Sequence, residues 1–382
     1  MASSVYLPTE ILVLIVLFVA AEGGRAADDA LPPARQRTLH ACCLVSRQWY
    51  SAAIALLYEK PQLGSGMAFN RFTETVCPPV AARKSKWNLG GFVRRLDLSG
   101  LVHHSSNSLT ARLLGRVKGN LEVFVAPRVS FASNSLPSLS KCLNLTHLDL
   151  SLVSDPIPFP QLKKTIQNLR RLTALRLPRS TFLNNPESRF DWPPRLRILQ
   201  LSGTFSPATI PSFAWPPRLT SLSLSGCTDL SVTALASLVS SPQLASSLRT
   251  LSIAPFNRNL HPESVNAVPA FLPGLLRLSV PGDLVEDSFF DILAHLAPPL
   301  ALEVLEFAGP VAGAGGGGDG TLEFSTVALL EALDGGLANL RAVGFADVWC
   351  TDQRILEDEE VDDVLQKRAR PGFEGEAGVY YM

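Results

Sequence analysis

One phrase, L-x-x-L-x-L, recurs ten times between residues 93 and 345. Its first positions are Val93, Leu121, Leu145, Leu172, Leu196, Leu219, Leu248, Leu275, Leu302 and Leu340. The intervals between them are 28, 24, 27, 24, 23, 29, 27, 27 and 38 residues. Side chains alternate across a strand, so the two apolar residues that flank one intervening residue point the same way, into a core. Each phrase therefore predicts a short strand, and the rest of each period must carry the chain back to start the next. A unit this short cannot bury its apolar face alone, so the copies must stack on one another. Leucine supplies 62 positions while Met supplies only 3, as expected where a single aliphatic slot is filled again and again.

The period is that of a leucine-rich repeat, and the expected fold class is an α/β repeat solenoid, a curved array of about ten repeats over residues 93–350. Longer intervals leave room for outer helices, predicted at 231–239 with Val232, Leu235 and Leu238 on one face, at 289–296 and at 325–333. The phrases Trp192-Pro193-Pro194 and Trp215-Pro216-Pro217 sit in two of the three shortest intervals, where paired prolines predict extended segments instead. Cys227 falls where the repeat wants a small side chain beneath a turn, a structural position. Residues beside the inward leucines face the concave surface. Early copies place Arg95, Asp97, His147, Asp149, Arg176 and Gln200 there, and middle copies place Ser221, Ser223, Ser225, Thr250 and Ser252. Long charged side chains make the stronger directional contacts, so the first set is the expected client-binding surface, with Arg95 and Arg176 as anchors.

The first 63 residues carry a different pattern. Pro8, Thr9 and Glu10 suit a helix start, and Ile11, Leu12, Leu14, Ile15 and Phe18 give it a broad apolar face. A polar and small-residue break spans 22–37, after which a second apolar helix is predicted from Leu39 to Glu59, with Leu39, Cys42, Cys43, Val45, Trp49, Ala53, Leu56 and Leu57 as its buried candidates. So much apolar surface in so short a segment exceeds what two or three helices bury among themselves, and a partner is the natural place for the remainder.

Leu7-Pro8-Thr9-Glu10-Ile11-Leu12 with Ile15, then Cys43-Leu44-Val45-Ser46-Arg47-Gln48-Trp49 and Leu57-Tyr58-Glu59, resembles an F-box of the kind common in fungal proteins. The resemblance covers residues 7 to 61, and it departs from the family in a long insert, Ala21 to Thr38. It implies an all-α module that docks on the Skp-type adaptor of a cullin-based ubiquitin ligase. By that resemblance Leu7, Pro8, Ile11, Leu12, Ile15, Leu44, Val45 and Trp49 are contact or supporting residues. The implied organisation is an F-box-like module over 1–63, a linker over 64–92, the repeats over 93–350, and an acidic capping helix and tail over 351–382.

Composition narrows the function classes. Lys plus Arg and Asp plus Glu are both 34, so no net field draws the chain to nucleic acid or an acidic membrane. The longest apolar run, 11–21, spans about 16 Å as a helix, half a bilayer core, and predicts no membrane span. Six cysteines without a C-x-x-C pair, and six histidines without H-E-x-x-H, point to neither zinc nor redox work. Gly313, Gly315 and Gly318 satisfy G-x-G-x-x-G, but the repeats around them lack the βαβ context, and a surface loop is expected. Arg83, Lys84 and Lys86 suit a solvated linker and His103-His104 a surface pair. No catalytic constellation, cofactor or metal site is expected.

The resulting expectation is a non-catalytic, client-recognising subunit in the cytoplasm or nucleus, partnered by the adaptor, the cullin and an unknown protein client. The alternative is a secreted repeat protein with a cleaved N-terminal signal. Small residues after the apolar run favour the signal. The absence of Lys and Arg from residues 1–10, with Pro8 and Glu10 against the apolar core, opposes it.

Overall fold

The computed structural model describes residues 7–21, 33–78, 88–101, 107–182, 190–204, 210, 213–262, 264–311, 322–351, 359–368 and 377–382. The chain divides into two compact units, Met1–Thr173 and Ala174–Met382. Much of the insert after Ala21, the Arg83–Lys86 cluster, His103-His104, the glycine run and Asp352–Asp358 lie outside the described residues.

The first unit opens with four helices: α1 (Thr9–Ala21), α2 (Pro33–Val45), α3 (Arg47–Glu59) and α4 (Gly66–Val76). The helix expected to run unbroken from Leu39 to Glu59 is in fact two. Ser46 is extended, with φ −163° and ψ 170°, and its hydroxyl accepts from the Trp49 backbone N–H, so it ends α2 and caps α3. The break after α1 is also shorter than expected, because α2 already begins at Pro33, a residue whose missing N–H is harmless in a first turn. The stretch read as a linker from 64 to 92 holds α4. Ser65 caps it through the Ala68 N–H, and Phe69, Phe72 and Val76 recur at helical spacing on its buried side.

Three parallel strands follow in this unit, β1 (Arg95–Asp97), β2 (Val123–Val125) and β3 (His147–Asp149), in the register Arg95, Val123, His147. Their central residues Leu96, Phe124 and Leu148 are buried. Burying one such side chain contributes roughly 1.5–3 kcal/mol, so the recurring phrase is also the recurring source of stability. Helices Asn107–Val117 and Phe159–Ile166 return the chain between strands.

The second unit holds β4 (Ala174–Arg176), β5 (Ile198–Gly203), β6 (Ser221–Cys227), β7 (Thr250–Ile253), β8 (Arg277–Pro281), β9 (Val304–Ala308), β10 (Ala342–Phe345) and β11 (Gly378–Tyr381). Each is parallel to the next. With strands alternating with outer helices in both units, the fold class is the α/β repeat solenoid. The outer helices fall at Val232–Val239, Asp287–Ala294 and Thr326–Asp334, within two residues of the sequence expectation. Leu235 and Leu238 face inward as expected, while Val232 is exposed.

In the two intervals with paired prolines the described residues form no helix. Trp192 and Trp215 fill the space instead. The Trp192 ring meets Phe213 edge-on, Phe213 meets Trp215 edge-on, and Trp192 Nε1 donates to the Ala214 carbonyl at 2.7 Å. Gly203 follows β5 with φ +100°, and a Cβ there would run into the Thr181 carbonyl, so only glycine fits.

Beneath the next turn Cys227 is buried, its Sγ 3.6 Å from the Leu201 carbonyl, and burial pushes its thiol up to about 12. The buried Asn257 side chain completes this turn: its Oδ1 accepts from the Cys227 N–H, and its amide donates to the Leu224 and Ala254 carbonyls.

The end of the chain differs from the expected helix and tail. The helix Glu359–Lys367 is present, but β11 follows and extends the parallel ladder past β10. The Tyr380 ring lies over Gly344, where a Cβ would collide with it, and its hydroxyl donates to Glu306 at 2.7 Å. Arg277 meets the same carboxylate at 3.1 Å. Asp362 on the last helix accepts from the Val379 N–H, which fixes where β11 begins.

Candidate functional site

Two surfaces gather the candidate residues, one on the helices of the first unit and one on the strands. In the helical module Val16, Leu39, Cys43, Ala53 and Ile54 form the buried core, with Trp49 and Tyr50 packed against it. The Gln48 amide donates to the Leu7 carbonyl and to Thr9 Oγ1, both at 3.0 Å, so the second sequence motif holds the start of the first. Arg35 reaches the Ala20 carbonyl at 3.2 Å and satisfies the end of α1.

These ties leave much apolar surface in solvent. Of the eight residues that the resemblance implies, Leu7, Pro8, Ile11, Ile15, Leu44 and Val45 are exposed. Leu44 is 73% exposed and Val45 64%. Leu12 is only 1% exposed and Trp49 is partly buried, so these two support the surface from behind. Val45 had been expected inside; its place at the last position of α2, where Ser46 turns the chain, puts it in solvent instead. Leu14 at 60% and Phe18 at 66% extend the same exposed helix, although the sequence singled them out only as members of an apolar face.

The six polar strand positions divide between the units. In the first, Arg95 Nη2 meets Asp97 Oδ2 at 3.2 Å along β1. Asp97 Oδ1 also accepts from the N–H and hydroxyl of Ser99, and Asp149 Oδ1 does the same for Ser151. Both aspartates thus close the turn after their strand, a local use that explains Asp two residues before Ser in each copy. His147 Nδ1 lies 2.9 Å from Thr146 Oγ1. In the second unit Arg176 is exposed and stands in register with Gln200 and Ser223. Beside that row runs Ala174, Ile198, Ser221. Ile198 is 46% exposed, an apolar side chain on the strand face between Ala174 and Ser221.

Among the described residues no group of three or more His, Cys, Asp or Glu is placed to hold a metal ion, and no helix is long and apolar enough to cross a membrane. Cys42, Cys43, Cys77, Cys142 and Cys227 are free thiols, and burial pushes Cys142 up to about 12, as it does Cys227.

No protein-family model matches the chain. It is 39% identical over 160 residues to F-box protein YDR306C of Saccharomyces cerevisiae, a match covering 42% of this chain. That match spans about a third (32%) of the relative's length. It is 25% identical over 251 residues to Protein pof5 of Schizosaccharomyces pombe, covering 65% of this chain and 68% of that one. Among solved structures, the Rad7 and Elc1 complex in yeast aligns with a TM-score of 0.42 and 16% identity, over 89% of this chain and 81% of that one. The TLR13-ssRNA13 complex aligns at 0.41 and 19%, over 67% and 33%. The budding-yeast relative supports an F-box-type reading of a chain whose own strands make it a repeat solenoid.

Proposed function

We propose that the chain is the client-recognition subunit of a cullin-based ubiquitin ligase, with its N-terminal helices docked on a Skp-type adaptor and its strand faces holding a protein client. The observation that carries this reading is the exposed apolar surface of α1 and the end of α2, at positions where the F-box resemblance implies adaptor contacts. The chain needs no chemistry of its own in this role: it raises the client's effective concentration beside the ubiquitin-charged enzyme. A cytoplasmic or nuclear location belongs to the same proposal, and free buried thiols agree with it. The Asn144 sequon is used internally as well, since its Nδ2 donates to the Gly119 carbonyl and its Oδ1 accepts from Arg171. Affinity purification of the tagged chain with mass spectrometry tests the proposal. Adaptor and cullin peptides are expected, and recovery from the secretory pathway with a glycan on Asn144 overturns it.

On the client side, Arg176 is exposed and lies one row from the exposed Ile198, whereas the Arg95 side chain is only 19% exposed. Reversing Arg176 to Glu is therefore expected to lower client capture by about tenfold or more, the scale of one lost charge-assisted contact. Arg95→Glu should cost less. Bulky replacements of Ser221, Ser223 and Ser225 provide the counter-test: if these abolish capture while Arg176→Glu retains it, the client sits on the hydroxyl-lined strands instead.

A further inference from the structure

We propose that the first unit carries a binding site for a small organic anion, an oxyanion head on a flat apolar body, in the cavity between α2, the end of α3 and α4. The cavity measures about 480 Å³, within the range that holds a drug-sized molecule. Its apolar walls are Leu57, Pro61, Leu63 and Phe72, and Phe72 stacks on Tyr58 with ring centroids 6.0 Å apart. Arg37 on α2 and Arg71 on α4 supply the charge, and His40, one turn from Arg37, adds a polar ring. All three are exposed, so they stand at the mouth.

Among the described residues no carboxylate lines the cavity, and the neighbouring Glu59 turns toward Arg94 at 3.9 Å. Guanidinium groups from two helices at the mouth of an apolar floor favour an anion over a cation. The site is also held in shape. Gln36 Oε1 on α2 accepts from the Gln62 N–H at 3.1 Å, which ties the wall at 61–63 to the helix opposite.

None of the lining residues is among the eight implied adaptor contacts, so the site is separate from that surface, and its test does not depend on the ubiquitin-ligase reading.

The probe is 1-anilinonaphthalene-8-sulfonate, with the uncharged N-phenyl-1-naphthylamine as its neutral counterpart, titrated by fluorescence into the purified full chain. One saturable site for the sulfonate is expected. Arg71→Glu should weaken it roughly ten- to hundredfold, and Ala68→Trp, which fills the cavity from its edge, should remove it. The neutral probe should bind at least about tenfold more weakly, since it forfeits the charged contacts. Unchanged melting temperatures establish that both variants fold. If the signal survives Arg71→Glu and Ala68→Trp but disappears when Leu14 and Phe18 are replaced by Ser, the probe sits on the exposed face of α1 and the proposal is overturned. It is overturned equally if a decaglutamate peptide displaces the sulfonate at lower concentration than small aromatic carboxylates do, since the cavity is then a peptide groove.

Discussion

A chain carrying Leu44→Lys and Val45→Lys together is expected to lose the Skp-type adaptor that the unaltered chain retains, with an affinity drop of about a thousandfold. Interface energy concentrates in a few apolar anchors worth about 2 kcal/mol or more each, so two of them amount to about 4 kcal/mol, or about three decades in Kd. The fold should tolerate the change. Both side chains stand in solvent at the end of α2, while Leu39 and Cys43 on the same helix remain in the core. Lysine at a helix C-terminus also meets the negative end of the dipole, which is mildly favourable. The contrasting variant is Leu12→Ala. Leu12 is buried, so its loss should cost about 2–5 kcal/mol of stability in the helical module and weaken the adaptor only through unfolding, visible as a lower melting temperature. Co-purification of adaptor with the double lysine variant at unaltered levels would show that the exposed face is not the docking surface.

The same comparison of exposed and buried leucines marks what the sequence made legible. Leu96, Leu148, Leu175, Leu199, Leu222, Leu251, Leu278 and Leu305 were identified as inward strand residues from a period of two inside a period near 25, and each is buried. A pattern repeated ten times constrains its own reading, because a register error in one copy would break the match with the others. Features that occur once had no such support. Serine at 46 reads equally as a helical surface residue or as a cap, and only the extended backbone decides it. Helix α4 had a cap and apolar residues at helical spacing, Ser65 with Phe69, Phe72 and Val76, but basic residues on its C-terminal side drew the reading toward a linker. β11 has no leucine at all. Its pairing rests on Gly344 making room for Tyr380, a relation between residues 36 positions apart that no local pattern encodes. The surfaces were legible to different degrees for the same reason. The adaptor face comes from two motifs in order, whereas Asp97 and Asp149 looked like free carboxylates until their turns with Ser99 and Ser151 were seen.

Replacing Phe307 with Ala is expected to be the most destabilising single change in the second unit, at about 3–5 kcal/mol. Phe307 stands in the second inward slot of the ninth phrase, where half of the copies place leucine, and it is fully buried. The larger ring is matched by its surroundings: Phe345 in the same slot of the next copy stacks on it at 5.2 Å, Phe324 lies at 4.9 Å, and Phe290 at 6.4 Å. Phe324 and Phe290 are themselves edge-on at 4.9 Å, so the four rings form one cluster spanning β9, β10 and the outer segments. Alanine would leave a ring-sized void among three aromatic neighbours that cannot all collapse into it. A loss of this size lowers the melting temperature by on the order of 10 °C for a unit of this length. Phe307→Leu restores the repeat's usual residue and should cost only about 1–2 kcal/mol, if buried volume rather than ring stacking dominates. Because each repeat rests only on its neighbours, hydrogen exchange should place the loss of protection in β8 to β10 and spare β5 and β6. A melting temperature within about 2 °C of the unaltered chain, or protection lost evenly across the whole unit, would contradict this account. The first outcome would mean the cluster is not the local core, and the second that the array folds as one cooperative block and not repeat by repeat.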